Sequence, residues 1–341
     1  VVDVVHPKPA PRWRAAMNLV LGVPHYRTRF ATAENRRLVT SAYQGHEVTI
    51  CSWEPLDVLA PTLTPPVILI AHNVTSLALP QLFPGNRLVG IAARQAARWE
   101  GRLFTSPQLA AIFTLSRRDQ SYVADVSRMQ TARLIVPGMP PVVPLSPQAE
   151  LRHEIVLSGT FDWKPKRRDI VRFAREYALE RDRLPVFAGS LPEKARAALP
   201  TMPALTDKDA YQAIRFGLIT DRFEAGHKLK TLAYIAYNQI VLSFSDAAHD
   251  FEAVPDHDFF IRRVASVGDI ARQIAEVSAV DIHDLRERLV RFQQDCAERF
   301  SWHAVGSQLT SIVERSFDCA GLSPDHPSVT SRSISRSLKR E

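Results

Sequence analysis

Cysteine is scarce, at 3 of 341 residues. Cys51, Cys296 and Cys319 are an odd number at no metal-ligand spacing, which excludes a disulfide framework and a zinc ribbon and suits a reducing cytoplasm. Glycine is scarce too, at 13. No Gly-x-Gly-x-x-Gly, Walker loop, His-Glu-x-x-His or Gly-x-Ser-x-Gly occurs. Those gaps exclude glycine-rich phosphate cradles, zinc-peptidase helices and nucleophile elbows. No apolar run approaches the ~20 residues of a membrane-spanning helix, the richest being Met17–Val23 and Pro66–Ile70. The opening residues show no signal-peptide pattern.

What is present is ordinary for a globular protein: 45% hydrophobic and 23% charged residues. The length suits two domains at ~150 residues each. The formal charge is +7 and uneven: residues 1–148 hold 15 Lys+Arg against 8 Asp+Glu, and residues 149–341 hold 28 of each. Such asymmetry points the first half toward something anionic, either a membrane surface or a phosphorylated substrate. A nucleic-acid partner is not expected, because the charge is diffuse and no helix-turn-helix or basic-aromatic ribonucleoprotein pattern occurs.

Strands alternate with helices along the chain. Val1–Val5, Glu47–Trp53, Val67–Ala71 and Leu109–Leu115 read as strands, with helices at Thr32–Tyr43, Val89–Leu103 and from about Asp119. Five prolines in Pro137–Pro147 then break the pattern, since neither a helix nor a central strand tolerates them. A second series follows: strands at Glu154–Gly159, Leu184–Gly189, Phe216–Thr220 and Ile240–Ser243, and helices at Arg168–Leu179, Lys228–Ala236, Val267–Ser278 and Asp281–Phe300. The expected division is a first α/β domain over 1–135, a linker over 136–150, a second α/β domain over 151–322 and a Ser/Arg-rich disordered tail over 323–341. Two such parallel sheets place a cleft at their carboxyl ends, where ligands of α/β folds bind.

Four segments carry chemistry. His72-Asn73-Val74 follows an apolar strand, where imidazole can accept a proton or bond a substrate hydroxyl; the alternative is a turn with Asn73 as helix cap. Gly159-Thr160-Phe161-Asp162-Trp163-Lys164-Pro165-Lys166-Arg167-Arg168 lies between a strand and a helix and carries cations suited to a diphosphate. Asp221-Arg222-Phe223-Glu224-Ala225-Gly226-His227-Lys228-Leu229-Lys230-Thr231-Leu232 lies between a second strand and its helix. There Lys228 and Lys230 are two apart, so one alone would face the cleft if the segment were helical. Phe300-Ser301-Trp302 precedes a last amphipathic helix, its tryptophan read as packing. His249, Asp250, Asp256, His257 and Asp258 have no regular metal-ligand spacing and read as a solvated acidic loop; no metal site is expected.

These segments, in this order over about residues 66–315, resemble the GT-B glycosyltransferases, the group that includes bacterial exopolysaccharide and lipid-linked sugar transferases. His72-Asn73-Val74 is similar to that group's His-Asn-Val-Glu, the Gly159–Lys166 run to its Gly-Ser-x-x-Trp-x-Pro-Asn, and the Gly226–Ala236 run to its Gly-x-Gly-x-Lys-x-Lys-x-Leu-Glu-Ala-Met-Ala. Phe300-Ser301-Trp302 matches its closing Phe-Ser-Trp. The resemblance implies two Rossmann-like domains facing across a cleft, the first lacking its opening strand and glycine-rich loop. It implies a metal-independent hexosyltransferase-like enzyme without a cofactor. Its substrates would be a nucleotide-diphospho-sugar donor and a saccharide or lipid-linked acceptor, in bacterial surface polysaccharide synthesis.

The implied donor-binding residues are Gly159, Thr160, Lys164, Lys166, Glu224, Gly226, Lys228 and Lys230. His72 would be catalytic and Asn73 would lie on the acceptor side. Ala233 stands where the family carries a ribose-binding carboxylate, and Ala225 where its partner would stand, one position from Glu224. These departures support an alternative, a non-catalytic partner or sugar-binding module. Arg12-Trp13-Arg14 ahead of Met17–Val23 suits an anionic bilayer, so the expected location is cytoplasmic, peripheral at the inner face of the plasma membrane.

Overall fold

The computed structural model describes residues 30–43, 48–52, 66–127, 132–136, 138–158, 161, 163–180, 187–188, 201–202 and 207–319, with a few isolated residues before position 47. The expected opening strand, Met17–Val23, Gly159, Thr160 and the 323–341 tail lie outside the described residues.

The first sheet contains β1 (Thr49–Ser52), β2 (Val67–Ala71), β3 (Leu109–Thr114) and β4 (Ala132–Leu134), parallel and in that spatial order. Around it lie α1 (Ala33–Tyr43), α2 (Thr75–Leu82), α3 (Arg87–Phe104) and α4 (Arg117–Ser127). A strand shows its side chains alternately to two faces, and β2 fills two cores this way. Val67 and Leu69 join the cluster under Leu103 and Phe104 of α3, while Ile68 joins the opposite one with Phe113.

The second sheet contains β5 (Glu150–Val156), β6 (Phe187–Ala188), β7 (Thr201–Met202), β8 (Ala213–Ile219), β9 (Gln239–Ser243) and β10 (Ile261–Arg263). Its spatial order is β10-β9-β8-β5-β6-β7, all parallel. Every residue of β8 and β9 is buried, the mark of a sheet covered on both faces. Helices α5 (Lys164–Glu180), α6 (Asp207–Gln212), α7 (Lys230–Ala236), α8 (His257–Phe260), α9 (Val267–Ser278) and α10 (Ile282–Phe300) surround it. From β5 the chain builds outward through β6 and β7, then returns to build β8, β9 and β10 on the other side. Its topological switch point therefore lies between β5 and β8.

The last helix, α11 (Trp302–Cys319), returns to the first sheet, where Ile312, Leu309 and Val305 pack with Ile68, Ala111 and Phe113. Sequence position alone groups it with the second domain. The chain thus crosses between sheets twice, and the crossings touch: Met139 pairs with Ser301 in a parallel bridge. The Trp302 ring lies on Gly138, leaving no space for a Cβ there, yet Trp302 is 66% exposed, so it covers the crossing from outside instead of packing in a core.

Candidate functional site

The loops after β5 and β8 meet at the switch point, where ligands of doubly wound sheets bind. Tyr234 of α7 braces it from below: its hydroxyl donates to the Leu218 carbonyl at 3.1 Å and accepts from the Ser158 amide at 3.1 Å. Its ring lies on Gly217, where a Cβ would collide with it. Full burial pushes the phenol up to about 12.

The loop after β8 runs from Thr220 to Leu229. Arg222 N–H donates to Asp169 of α5 at 2.9 Å, and the Arg222 guanidinium, over the Phe244 ring at 4.2 Å, pairs with Glu176. Gly226 adopts a left-handed φ of +67°, open to glycine at low cost. Because that turn keeps residues 226–229 out of the helix, α7 begins only at Lys230. Lys228 and Lys230 therefore both approach Asp221 and Lys166, rather than one of them facing away.

Lys228 is 8% exposed; its ammonium donates to the Ala225 carbonyl at 3.0 Å and lies 4.1 Å from the Phe223 ring centroid. The Lys230 ammonium lies 4.6 Å from the Phe161 ring centroid. Burial, with Lys166 adding repulsion, lowers both lysines from 10.5 to about 8, against the pull of Asp221. Desolvation outweighs the carboxylates nearby, Asp221 for both lysines and Glu224 and Asp250 for Lys228, so a bound anion would favour the charged form of each. On the same loop and the first turn of α7, Thr220 Oγ1, Asp221 Oδ1, His227 Nε2 and Thr231 Oγ1 are buried without a hydrogen-bond partner. Native proteins leave few such groups, and with Arg222 Nε five fall on the twelve consecutive residues 220–231.

The first domain faces this loop with the turn after β2. His72 is half-buried, its Nε2 3.1 Å from Ser52 Oγ at the end of β1, and burial lowers it below the usual 6.5. Asn73 does not cap α2. Its Oδ1 lies against Gly226, whose Cα is also close to the His72 carbonyl: a Cβ there would collide with the amide and sit 3.3 Å from that carbonyl. Glu100 of α3 supplies the cap, accepting from the Thr75 amide at 2.7 Å. Asp119 of α4 accepts from the Val74 amide at 3.1 Å and from the Ser116 hydroxyl at 2.8 Å. Both carboxyls are raised by burial.

The domains are joined around the site. Asp250 accepts from the Arg117 amide of α4 at 2.8 Å and lies 2.8 Å from His227 Nδ1. Glu224 N–H donates to Gln81 at 2.7 Å, Arg168 donates to the Leu82 carbonyl at 2.7 Å, and Phe223 and Ala225 pack on Ala78 and Leu82. Between them lies a cavity of about 360 Å³, lined by Ser116 and Arg118 on one side and Glu224, Gly226, Lys228 and Asp250 on the other.

The structure thus brings Lys166, Lys228, Lys230, Gly226, Asn73 and His72 to one cleft. Lys164 is exposed at the start of α5. The Glu224 carboxylate accepts from the Asp246 amide at 2.7 Å and lies 3.5 Å from Arg263. The solvated-loop reading fails for Asp250, which is 7% exposed because it is enclosed between the domains. It holds for Asp256, which is exposed and paired with Arg288, and for His249. Asp119 and Gln81 carry no sequence signal; only the fold brings them to Asp221 and His227 of the loop after β8. Among the described residues no group of His, Cys, Asp or Glu is placed to hold a metal ion.

No protein-family model and no curated sequence matches the chain. Solved structures do. An α,α-trehalose-6-phosphate synthase from Burkholderia multivorans aligns at TM-score 0.59 and 10% identity, over 90% of this chain and 78% of that one. A sucrose-phosphate synthase from Thermosynechococcus elongatus aligns at 0.57 and 12%, over 86% and 79%. The chain has the GT-B fold. An E. coli trehalose-6-phosphate structure bound with UDP-2-fluoro glucose shares the GT-B fold at TM-score 0.55 and 10% identity, over 82% of this chain and 76% of that one. The lysine cluster and His72 lie on opposite walls of the GT-B cleft.

Proposed function

We propose that this chain is a glycosyltransferase that moves a sugar from a nucleotide-diphospho-sugar to a saccharide or lipid-linked acceptor, in surface polysaccharide synthesis. One observation carries the reading: a buried and a half-buried lysine, Lys228 and Lys230, held near a pKa of about 8, with Lys166 beside them and unpartnered buried polar atoms around them. A departing nucleoside diphosphate gains negative charge in the transition state. Preorganised cations in a water-poor cleft stabilise that charge more than the ground state, usually the largest catalytic contribution. In this reading Lys228, Lys230 and Lys166 supply the neutralising charge. Neutral His72 on the facing wall accepts the acceptor hydroxyl proton or positions the sugar.

Thermal unfolding with UDP, GDP, ADP and dTDP tests the donor assignment. A nucleotide at 100 times its Kd stabilises the fold by ~2.7 kcal/mol, and no shift with any of the four would overturn the reading. Release of nucleotide from the matching sugar donor then tests turnover. Ala233, where the resemblance expects a carboxylate, favours a second reading: donor binding without transfer, marked by a thermal shift with no release.

A further inference from the structure

The helix α3 (Arg87–Phe104) buries Ala93, Ala96, Glu100, Leu103 and Phe104. Its opposite arc is unlike an ordinary solvated face. At 100° per residue, Arg87, Ile91, Arg94, Arg98 and Arg102 fall within one sector of about 80° centred away from the buried stripe, with Leu88 about 40° beyond it. All six are exposed, Leu88 by 74% and Ile91 by 57%, the former among the most exposed large apolar side chains described. The one carboxylate of the helix, Glu100, points inward to the Thr75 and Ser76 amides. None of the four arginines forms an ion pair with a carboxylate among the described residues.

Arginines without a carboxylate partner among the described residues, on a helix that also exposes leucine and isoleucine, suit a partner offering anions and an apolar layer together. Nucleic acid offers the anions but nothing to Leu88 and Ile91. The headgroup boundary of an anionic bilayer offers both: an interfacial helix sets its apolar residues at the acyl edge and its arginines among the phosphates. The charge imbalance of residues 1–148, 15 basic against 8 acidic, has the sign this needs.

From this we infer that the arginine-rich outer face of α3 docks the protein onto an anionic lipid surface. The surface lies outside the cleft, and the inference stands or falls independently of the donor reading. Trp13, also exposed, belongs to the segment for which the sequence suggested the same partner, but its neighbours Arg12 and Arg14 lie outside the described residues.

The test is co-sedimentation of the full chain with phosphatidylcholine vesicles that contain or lack 30% phosphatidylglycerol. Binding is expected only with phosphatidylglycerol. A basic residue near such a surface is worth ~1 kcal/mol, about fivefold in partitioning, so Arg94→Ala/Arg98→Ala should weaken binding about 30-fold. Leu88→Ser/Ile91→Ser should also release the protein. Unchanged thermal unfolding in both variants shows that they fold, and their response to nucleotide reports on the cleft separately. Three outcomes would overturn the inference. These are a wild-type protein that stays in the supernatant, vesicle binding that neither variant weakens, and tighter capture by a DNA duplex that depends on the arginines but not on Leu88 and Ile91.

Discussion

Asn73 and Gly226 meet across the domain boundary, the amide oxygen of one filling the space where the other would carry a side chain. With φ at +67°, Gly226 is also held where other residues are strained by ~1–3 kcal/mol. Gly226→Ala should therefore destabilise the protein by at least that much in urea unfolding. Adding Asn73→Gly should recover the part due to contact and leave the backbone part. Equal stability of wild type and Gly226→Ala would contradict the contact.

Lys228→Met should cost nucleotide affinity tenfold or more, because a charge-assisted contact of ~1.5–3 kcal/mol is lost. The fold should not suffer in proportion, since a buried ammonium is removed with it. Titration with the nucleotide chosen by thermal shift gives the answer, and unchanged affinity would remove Lys228 from the donor site.

Nucleotide affinity and stability should respond oppositely to pH. Lys228 and Lys230 lie at about 8 in the fold against 10.5 ordinarily. Above pH 8 the unfolded chain therefore holds protons that the folded one has released, and stability rises with pH. A bound diphosphate needs those protons, so affinity falls across the same window. Burial raises the Cys296 thiol far above its usual 9 and Tyr234 to about 12, so both oppose the stability trend, the thiol from pH 9, which leaves pH 8–9 as the readable range for stability. Affinity flat from pH 7 to 9.5 would show that the lysines do not face the ligand, and Lys228→Met should flatten both slopes.

Asp250→Ala leaves the Arg117 amide and His227 without their shared acceptor. A loss of ~1.5–3 kcal/mol is expected, read by urea unfolding. A loss under about 0.5 kcal/mol, the range of ordinary surface changes, would mean that Asp250 does not tie the domains.

His72 is shifted toward the neutral form by burial, the form a base needs. His72→Ala should leave nucleotide affinity within about twofold and slow sugar transfer at least ~100-fold. A slowing of only a few-fold would make His72 a positioning residue.

Much of the architecture was legible in the sequence. The runs around Val67–Ala71, Phe216–Thr220 and Ile240–Ser243 are apolar on both faces, and only a covered parallel sheet uses such strands. Helix α2 was hidden because it spans 8 residues with Pro80 inside, too short for periodicity to register. The lysines were visible as motif residues, but their joint approach depends on a left-handed glycine that keeps the loop out of the helix. Asp250 was misread because acidic residues in a loop are normally wet. What dries it is the Arg117 amide, 133 positions earlier in the chain, and local sequence carries no trace of that meeting.

The paired crossings have a mechanical consequence. Met139 and Ser301 sit side by side, with Trp302 stacked against Gly138, so both connections between the sheets pass through one place. Sliding one sheet past the other would tear that pairing, whereas turning about it leaves the pairing whole. A turn about Gly138 and Trp302 would break the bonds from Gln81, Leu82 and Arg117 to the opposite wall, so those three bonds would hold such a jaw shut.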